Sequence, residues 1–301
     1  MATKRPLAHK VIISPEDAVD ALSRSGYLLE NRIARTLEKF ATQLLVNVAF
    51  VDRATSQVRE LDVYCFKGQL SDYNEFFSCS AHLLIECVNN PQPIAFFRST
   101  RDMNLYPLLA ARPAWLDLSP IEETIHIEKF HNCFTVPLAT NYCTFVTKKS
   151  GEWMVTHADE QHQEFSTLAT MAQMTREKQL TVLEEMSRPE DAIEACGIEF
   201  IYPILVVEGT LFEVIQDAKG LIKLRSINRI RYGKSQIWNG TRKYSPIDVM
   251  TESYFPKFLR LVESDCRNAL RLLEERSEDV LEAAKNRESL GERFAFEDYL
   301  P

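Results

Sequence analysis

The sequence has no apolar run approaching the roughly 18 residues of a membrane-spanning helix, so no transmembrane segment is expected. Nine glycines and 13 prolines in 301 residues exclude a collagenous or low-complexity chain. None of the seven cysteines (Cys65, Cys79, Cys87, Cys133, Cys143, Cys196 and Cys266) forms a Cys-x-x-Cys pair. That argues against a zinc ribbon or a redox dithiol. Most of them lie in apolar runs (VYCF, LIECV, NYCTF), the setting of buried, reduced thiols. There is no Gly-x-x-x-x-Gly-Lys-[Ser/Thr] loop, no Gly-x-Gly-x-x-Gly turn and no Gly-x-Ser-x-Gly elbow. These absences argue against NTPase, dinucleotide-binding and hydrolase-elbow chemistry. Met1 to Lys10 has basic residues but no apolar stretch after them, which predicts no secretory leader and a soluble, cytoplasmic protein. The net charge of −8 argues against bulk attraction to nucleic acid.

Hydrophobic residues make up 45% and charged residues 26%, as in folded globular chains. A chain of 301 residues can bury a core without a disulfide or metal staple. No repeat and no Gly/Ser linker is visible, so a single elaborated domain over residues 1–301 is expected. Ser14-Pro15-Glu16-Asp17 reads as a capped helix start, stopping near Gly26. A second helix is expected from Tyr27 to Thr42, with Leu29, Ile33, Leu37 and Phe40 on one stripe. Leu44–Val51, Val58–Phe66, His82–Val88 and Pro93–Phe97 read as strands separated by polar breakers. Thr124–Val146 has strand-like patches. Glu160–Arg188 reads as helical, with Phe165, Leu168, Met171, Leu180 and Leu183 as candidate core residues. Ile198–Val207 is expected to turn at Glu208-Gly209 into a hairpin with Leu211–Ile215. A last helix is expected from Tyr254 to Lys285, burying Phe255, Phe258, Val262, Cys266, Ala269 and Leu273.

Three acids stand in a suggestive order: Glu30 on the second helix, Asp62 in one strand, and Glu86 inside the apolar strand LLIECV. A carboxylate in an apolar strand is costly unless paired or bound to a metal. Mg²⁺ prefers oxygen ligands, usually one or two carboxylates with waters and a substrate phosphate. It can then activate a bound water and offset charge at a scissile phosphate. Each acid also has a plainer reading: a solvated helix face for Glu30, a strand end or an arginine pair for Asp62 and Glu86.

The order Gly26-Tyr27-x-x-Glu30, then Glu60-Leu61-Asp62, then Ile85-Glu86-Cys87 resembles the PD-(D/E)xK nuclease superfamily. The resemblance covers roughly residues 25 to 100. It implies a restriction-endonuclease-like α/β (α+β) fold, a mixed central β-sheet flanked by helices. Its core would span about 14–100 with later strands at about 198–250. A long insertion would fill about 101–197, and a C-terminal helix about 254–285. It implies that Asp62, Glu86 and the backbone carbonyl of Cys87 hold Mg²⁺ (or Mn²⁺), with Glu30 as accessory acid. The activity implied is hydrolysis of phosphodiester bonds in DNA, with RNA open. Dimers are common among nucleases of this fold, so a homodimer is an analogy.

The family's motif lysine, two residues after the second acid, is Val88 here. That lysine orients the attacking water and offsets charge in the transition state; valine does neither. Strand alternation puts Glu86, Val88 and Asn90 on one face, so Asn90 (or Gln92) is a candidate neutral substitute. Lys67 and Lys39 are the nearest cations in sequence, and a regular strand points Lys67 to the other face. Two readings stay open: an active nuclease, or a catalytically silent nuclease fold that binds nucleic acid or a protein partner.

From Lys219 to Lys243 the chain carries basic residues and no acid. Arg225, Arg229, Arg231, Lys234, Arg242 and Lys243 are candidates for phosphate contacts, and Trp238 for stacking on bases. The plainer reading is a solvated hairpin whose arginines pair with the acidic C-terminal helix. His126/His131 and His157/His162 are spaced by five, which suits neither a helix face nor a strand face. A zinc site there is not expected without cysteine partners.

Overall fold

Local chemistry shapes the N-terminal elements. In the computed structural model, helix α1 (Pro15–Arg24) starts where the Ser14 hydroxyl accepts from the Asp17 N–H at 3.0 Å. Helix α2 (Tyr27–Leu37) buries Leu29, Ile33 and Leu37. It ends five residues earlier than Thr42. The N–H groups of Phe40 and Ala41 both donate to the Leu37 carbonyl, closing a turn that still buries Phe40. The structure describes residues 13–52, 55–73, 77–89, 92–99, 108–112, 136–157, 163–177, 196–216 and 219–278. Asn90, Leu180, Leu183 and the pair His126/His131 lie outside them, as does His162.

The strands are β1 (Gln43–Asp52), β2 (Gln57–Leu70), β3 (Phe77–Asn89), β4 (Ile94–Arg98), β5 (Leu108–Arg112), β6 (Leu138–Thr147) and β7 (Trp153–His157). They continue as β8 (Cys196–Glu208), β9 (Leu211–Gln216), β10 (Ile222–Ile227), β11 (Arg229–Trp238) and β12 (Thr241–Thr251). Helix α3 covers Glu164–Arg176, and α4 covers Phe255–Glu275. The result is a mixed α/β structure with one large mixed sheet flanked by helices. Its order is β1-β2-β3-β8-β12-β11-β6-β4-β9-β10, with β5 added to β8 and β7 to β6. No described helix is long and apolar enough to cross a membrane.

Strands β3 and β8 run parallel at the centre, and β12 runs parallel to β8. Both faces are covered, which explains their near-continuous apolar character. On β3, Cys79, Ala81, Leu83, Ile85 and Cys87 pack with α2 and α4, whereas Leu84 packs with α3. Helix α4 buries Phe255, Phe258, Val262, Cys266, Ala269 and Leu273, as its spacing predicts. Helix α3 is buried almost all round, Phe165, Leu168 and Met171 together with Thr167, Thr170 and Gln173.

Two sequence expectations change. The β8–β9 hairpin does not form: β9 pairs with β4 and β10 instead. One edge of β8 is filled by β3, and the other by β5 and then β12, so no edge is left for β9. The Ile94 N–H donates to the Thr210 carbonyl at 3.0 Å as the chain passes to β4. Residues 101–197, expected as an insertion, supply β6, which lies inside the sheet between β11 and β4. They also supply α3, packed on the sheet face.

The β3–β8 contact has no room to spare at Gly197. A methyl group added there would overlap the Ser78 carbonyl and hydroxyl oxygens. Gly197→Ala is expected to lower stability by about 1–3 kcal/mol, the usual range for overpacking a rigid contact. A urea titration checks it: the midpoint drops while the slope stays unchanged.

Candidate functional site

The β2/β3 ladder ends with Val63 opposite Ile85, so Asp62 and Glu86 are the next residues outward on their two strands. There the backbone pairing gives way to a side chain: the Cys87 N–H donates to Asp62 Oδ2 at 2.7 Å. On the neighbouring strand, Val46 and Val48 pair with Val63 and Leu61, which puts Asn47 level with Asp62. Asn47 has φ of 55°, a left-handed conformation uncommon for a non-glycine residue inside a strand. The backbone irregularity therefore sits beside the acid.

Two helices bring further acids. Glu30 stands in the first turn of α2. A methyl group on Gly26 would meet Glu30 Oε1 at 3.2 Å and the Cys87 carbonyl oxygen at 3.8 Å. The Glu30 carboxylate and that carbonyl therefore share the small space that Gly26 leaves open. Asn89 donates through Nδ2 to the Ser23 carbonyl at 3.1 Å, which ties the α1–α2 junction to the end of β3. From the other side of the sheet comes Glu164, in the first turn of α3. Glu86 points towards that side, sharing the alternation of Leu84 and Val88.

Glu86 is 6% exposed, and its Oε1 has no hydrogen-bond partner. Burial pushes its carboxyl up to about 10, helped by the charges of Asp62, Glu164, Glu30 and Glu60. Burial also raises Asp62 to about 6; the Cys87 N–H opposes this, while Glu30, Glu164 and Glu60 add to it. Glu30 is raised by burial and then by Glu60. The charged groups that most affect Glu86 are Asp62, Glu164, Glu30 and Glu60, all acids. Arg32, two residues on from Glu30 in α2, is engaged elsewhere: it binds Glu252 at 2.6 Å and Glu208 at 2.8 Å.

The structure thus puts Glu30 beside the Cys87 carbonyl and Asp62 on the Cys87 N–H, with Glu86 one residue earlier on β3 and turned towards α3. Val88 is half-buried against the apolar cluster beneath α3. The Lys67 ammonium lies over the Phe40 ring at 5.4 Å, and Lys39 is exposed. Among the described residues, no three His, Cys, Asp or Glu side chains form a ready-made metal cage. The donor chemistry still suits Mg²⁺, which needs only one or two carboxylates beside carbonyl and water oxygens. Glu86 Oε1 is buried without a hydrogen-bond partner, a costly setting for an ionised carboxylate.

The basic segment is corrected in part. Arg229 and Arg231 are 3% and 6% exposed and pair with Asp248 at 2.6 and 3.1 Å. Burial alone would raise the Asp248 carboxyl, but the charges and hydrogen bonds of the two arginines outweigh it and hold it low. The Arg229 guanidinium also stacks on Phe258 of α4 at 4.7 Å. Neither arginine can reach a phosphate, because both are committed to a buried carboxylate. Trp238 is 4% exposed and donates through Nε1 to Glu177, so it offers no stacking face. Arg225 is half-exposed but bound to buried Glu213 at 2.5 Å. Arg242 is exposed, and Lys234 and Lys243 are half-buried. These three lie near the β11–β12 turn, where Asn239 and Gly240 both have positive φ. Val249, level with Glu86 through Leu205, is eight residues along β12 from the turn. At about 3.3 Å per residue that is on the order of 25 Å.

No family model, curated protein or solved structure matches this chain. The site is therefore read from its own geometry. Sequence reasoning missed Glu164, Glu60 and Asp248. Glu164 carries no distinguishing signal, since an acid in the first turn of a helix is ordinary.

Proposed function

We propose that the chain is a divalent-metal-dependent nuclease with a restriction-endonuclease-like core, acting on DNA (or RNA). The observation that carries this reading is the buried, partnerless Glu86 Oε1 in all-acid surroundings beside Asp62 and the Cys87 carbonyl. Asp62, Glu86 and the Cys87 carbonyl would hold Mg²⁺ or Mn²⁺. Bound there, the metal would supply an activated water and offset charge on the scissile phosphate. The chain's own residues then have separate tasks. The Cys87 N–H orients Asp62. Glu30, beside the Cys87 carbonyl, is an accessory acid able to accept a proton or hold a water. Val88 and the apolar cluster behind it exclude water from the inner side. Arg242, Lys234 and Lys243 remain as backbone contacts; the turn that Arg242 and Lys243 adjoin is about seven steps of duplex from the site at 3.4 Å each, and Lys234, opposite Ser245, is about half as far.

A silent nuclease fold that only binds is favoured by one observation: Val88 is packed with apolar side chains and supplies no charge. Cleavage of labelled single-stranded DNA, duplex DNA and RNA with Mg²⁺, Mn²⁺ or EDTA separates the two. The proposal expects metal-dependent cutting that is lost in the Asp62→Ala/Glu86→Ala double variant. No cutting, with binding retained, sinks the catalytic reading and leaves the binding one.

A further inference from the structure

The sheet ends in β1 on one side and β10 on the other. An exposed edge offers a row of unpaired N–H and C=O groups to any passing strand, and proteins blunt it with backbone irregularities, proline or charge. Strand β1 is blunted at Asn47, whose φ of 55° interrupts its regular line. Strand β10 has neither proline nor a positive φ, and among the described residues it pairs with β9 alone. Both of its faces are open: every residue from Ile222 to Ser226 is exposed. Opposite residues of an antiparallel pair share a face, so the register with β9 sorts these side chains. Lys223 and Arg225 lie on one face, where Arg225 comes to 2.5 Å and Arg98 of β4 to 3.8 Å from the buried Glu213. Glu213 offsets one of these three charges. Ile222 and Leu224 lie on the other face, 64% and 50% exposed, with Leu224 opposite Val214 of a small apolar cluster. Exposed Phe97 continues that face on β4.

We propose that the β10 edge binds an extended acidic and apolar segment of a partner protein as an added strand, with acids beside Lys223 and Arg225 and apolar side chains beside Ile222 and Leu224. Main-chain hydrogen bonds to the open edge supply affinity, and the alternation of side chains supplies specificity. The charge on one face selects acids, and the bare apolar face selects against a segment that is acidic throughout. A second copy of β10 is a poor occupant. A two-fold axis at Lys223, Leu224 or Arg225 brings cation opposite cation, and like charges directly opposite destabilise a strand pair. A nucleic-acid backbone would meet the cations but would leave the apolar face and the open main chain unused.

The probe is a fluorescein-labelled peptide of alternating glutamate and valine, titrated with the full chain and followed by anisotropy. Binding is expected, and it should protect the backbone amides of residues 222–227 from hydrogen exchange. Lys223→Glu, a change at an exposed position, should weaken binding about tenfold and leave the urea midpoint unmoved. A peptide of the same composition, with its glutamates and valines in two separate blocks, should also bind about tenfold more weakly. Equal binding of the block peptide, or binding without protection of 222–227, would reduce the contact to charge and overturn the proposal. No binding of the alternating peptide at about 1 mM, the weak end of measurable affinity, would overturn it as well. Protection of the same amides by self-association, or by single-stranded DNA, would assign the edge to a second copy or to nucleic acid and overturn the proposed partner.

Discussion

Glu86→Gln is expected to stabilise the metal-free protein at pH 7 by about 3 kcal/mol while removing the metal-dependent cutting proposed for it. Glu86 has an ordinary pKa of 4.5 and is pushed to about 10 in the folded chain, first by burial and then by Asp62, Glu164, Glu30 and Glu60. The folded state therefore keeps the proton while the unfolded chain releases it. Its stability contribution is full below about pH 4.5 and is lost progressively as pH rises towards 10. Each pKa step of one is worth about 1.4 kcal/mol, which leads to the figure of about 3 kcal/mol at pH 7. Asp62, at about 6 against 3.8, adds a loss of the same sign between about pH 4 and 6. Glutamine keeps the shape, removes the ionisation and places an amide donor among carboxylates. Urea unfolding in EDTA across pH 4 to 10 checks this. The two proteins should agree near pH 4 and diverge steadily above it. Added Mg²⁺ should stabilise the unaltered protein above pH 6 and leave the variant unmoved. A variant less stable than its parent at pH 7 would mean that Glu86 is a structural ion-pair member. A side chain whose removal stabilises the fold but ends an activity is the signature of a site that trades stability for function.

Asp248→Ala is expected to cost about 3–5 kcal/mol, the usual consequence of stranding buried charge. The change leaves two guanidinium groups, Arg229 and Arg231, buried without their shared carboxylate. Desolvated arginines cannot discard their charge by losing a proton, so the penalty stays with the fold. Replacing all three residues with apolar side chains of similar volume should recover most of the loss. A midpoint shift below about 1 kcal/mol for Asp248→Ala would contradict the buried pairing. If the chain binds nucleic acid as proposed, Arg242→Ala should weaken that binding without touching stability, whereas Arg229→Ala should act only through the fold.

The candidate site was legible in the sequence where local rules operate. Glu86 stood out because a carboxylate in the run LLIECV needs a reason to be there. The capped start of α1, the stripe of α2 and the buried face of α4 follow from contacts three or four residues apart. They were readable because the residues that specify them are neighbours in the chain. Helix α3 was harder, since burial on nearly every side removes the polar–apolar period that marks a surface helix.

What the sequence determined by itself is the set of local elements and the presence of costly acids among apolar strands. The tertiary structure decided which strands pair and which charges meet. Strand β9 turned from its sequence neighbour β8 to β4 because β3, β5 and β12 already occupy both edges of β8. Arg229 and Arg231 became core residues because β12 brings Asp248 level with them. The charge of Glu164 bears on Asp62 and Glu86 because α3 packs across the sheet, about a hundred residues on from Asp62. Partners so far apart leave no periodic trace in the chain, and burial alone sets whether a charge is exposed, paired or ready for a metal.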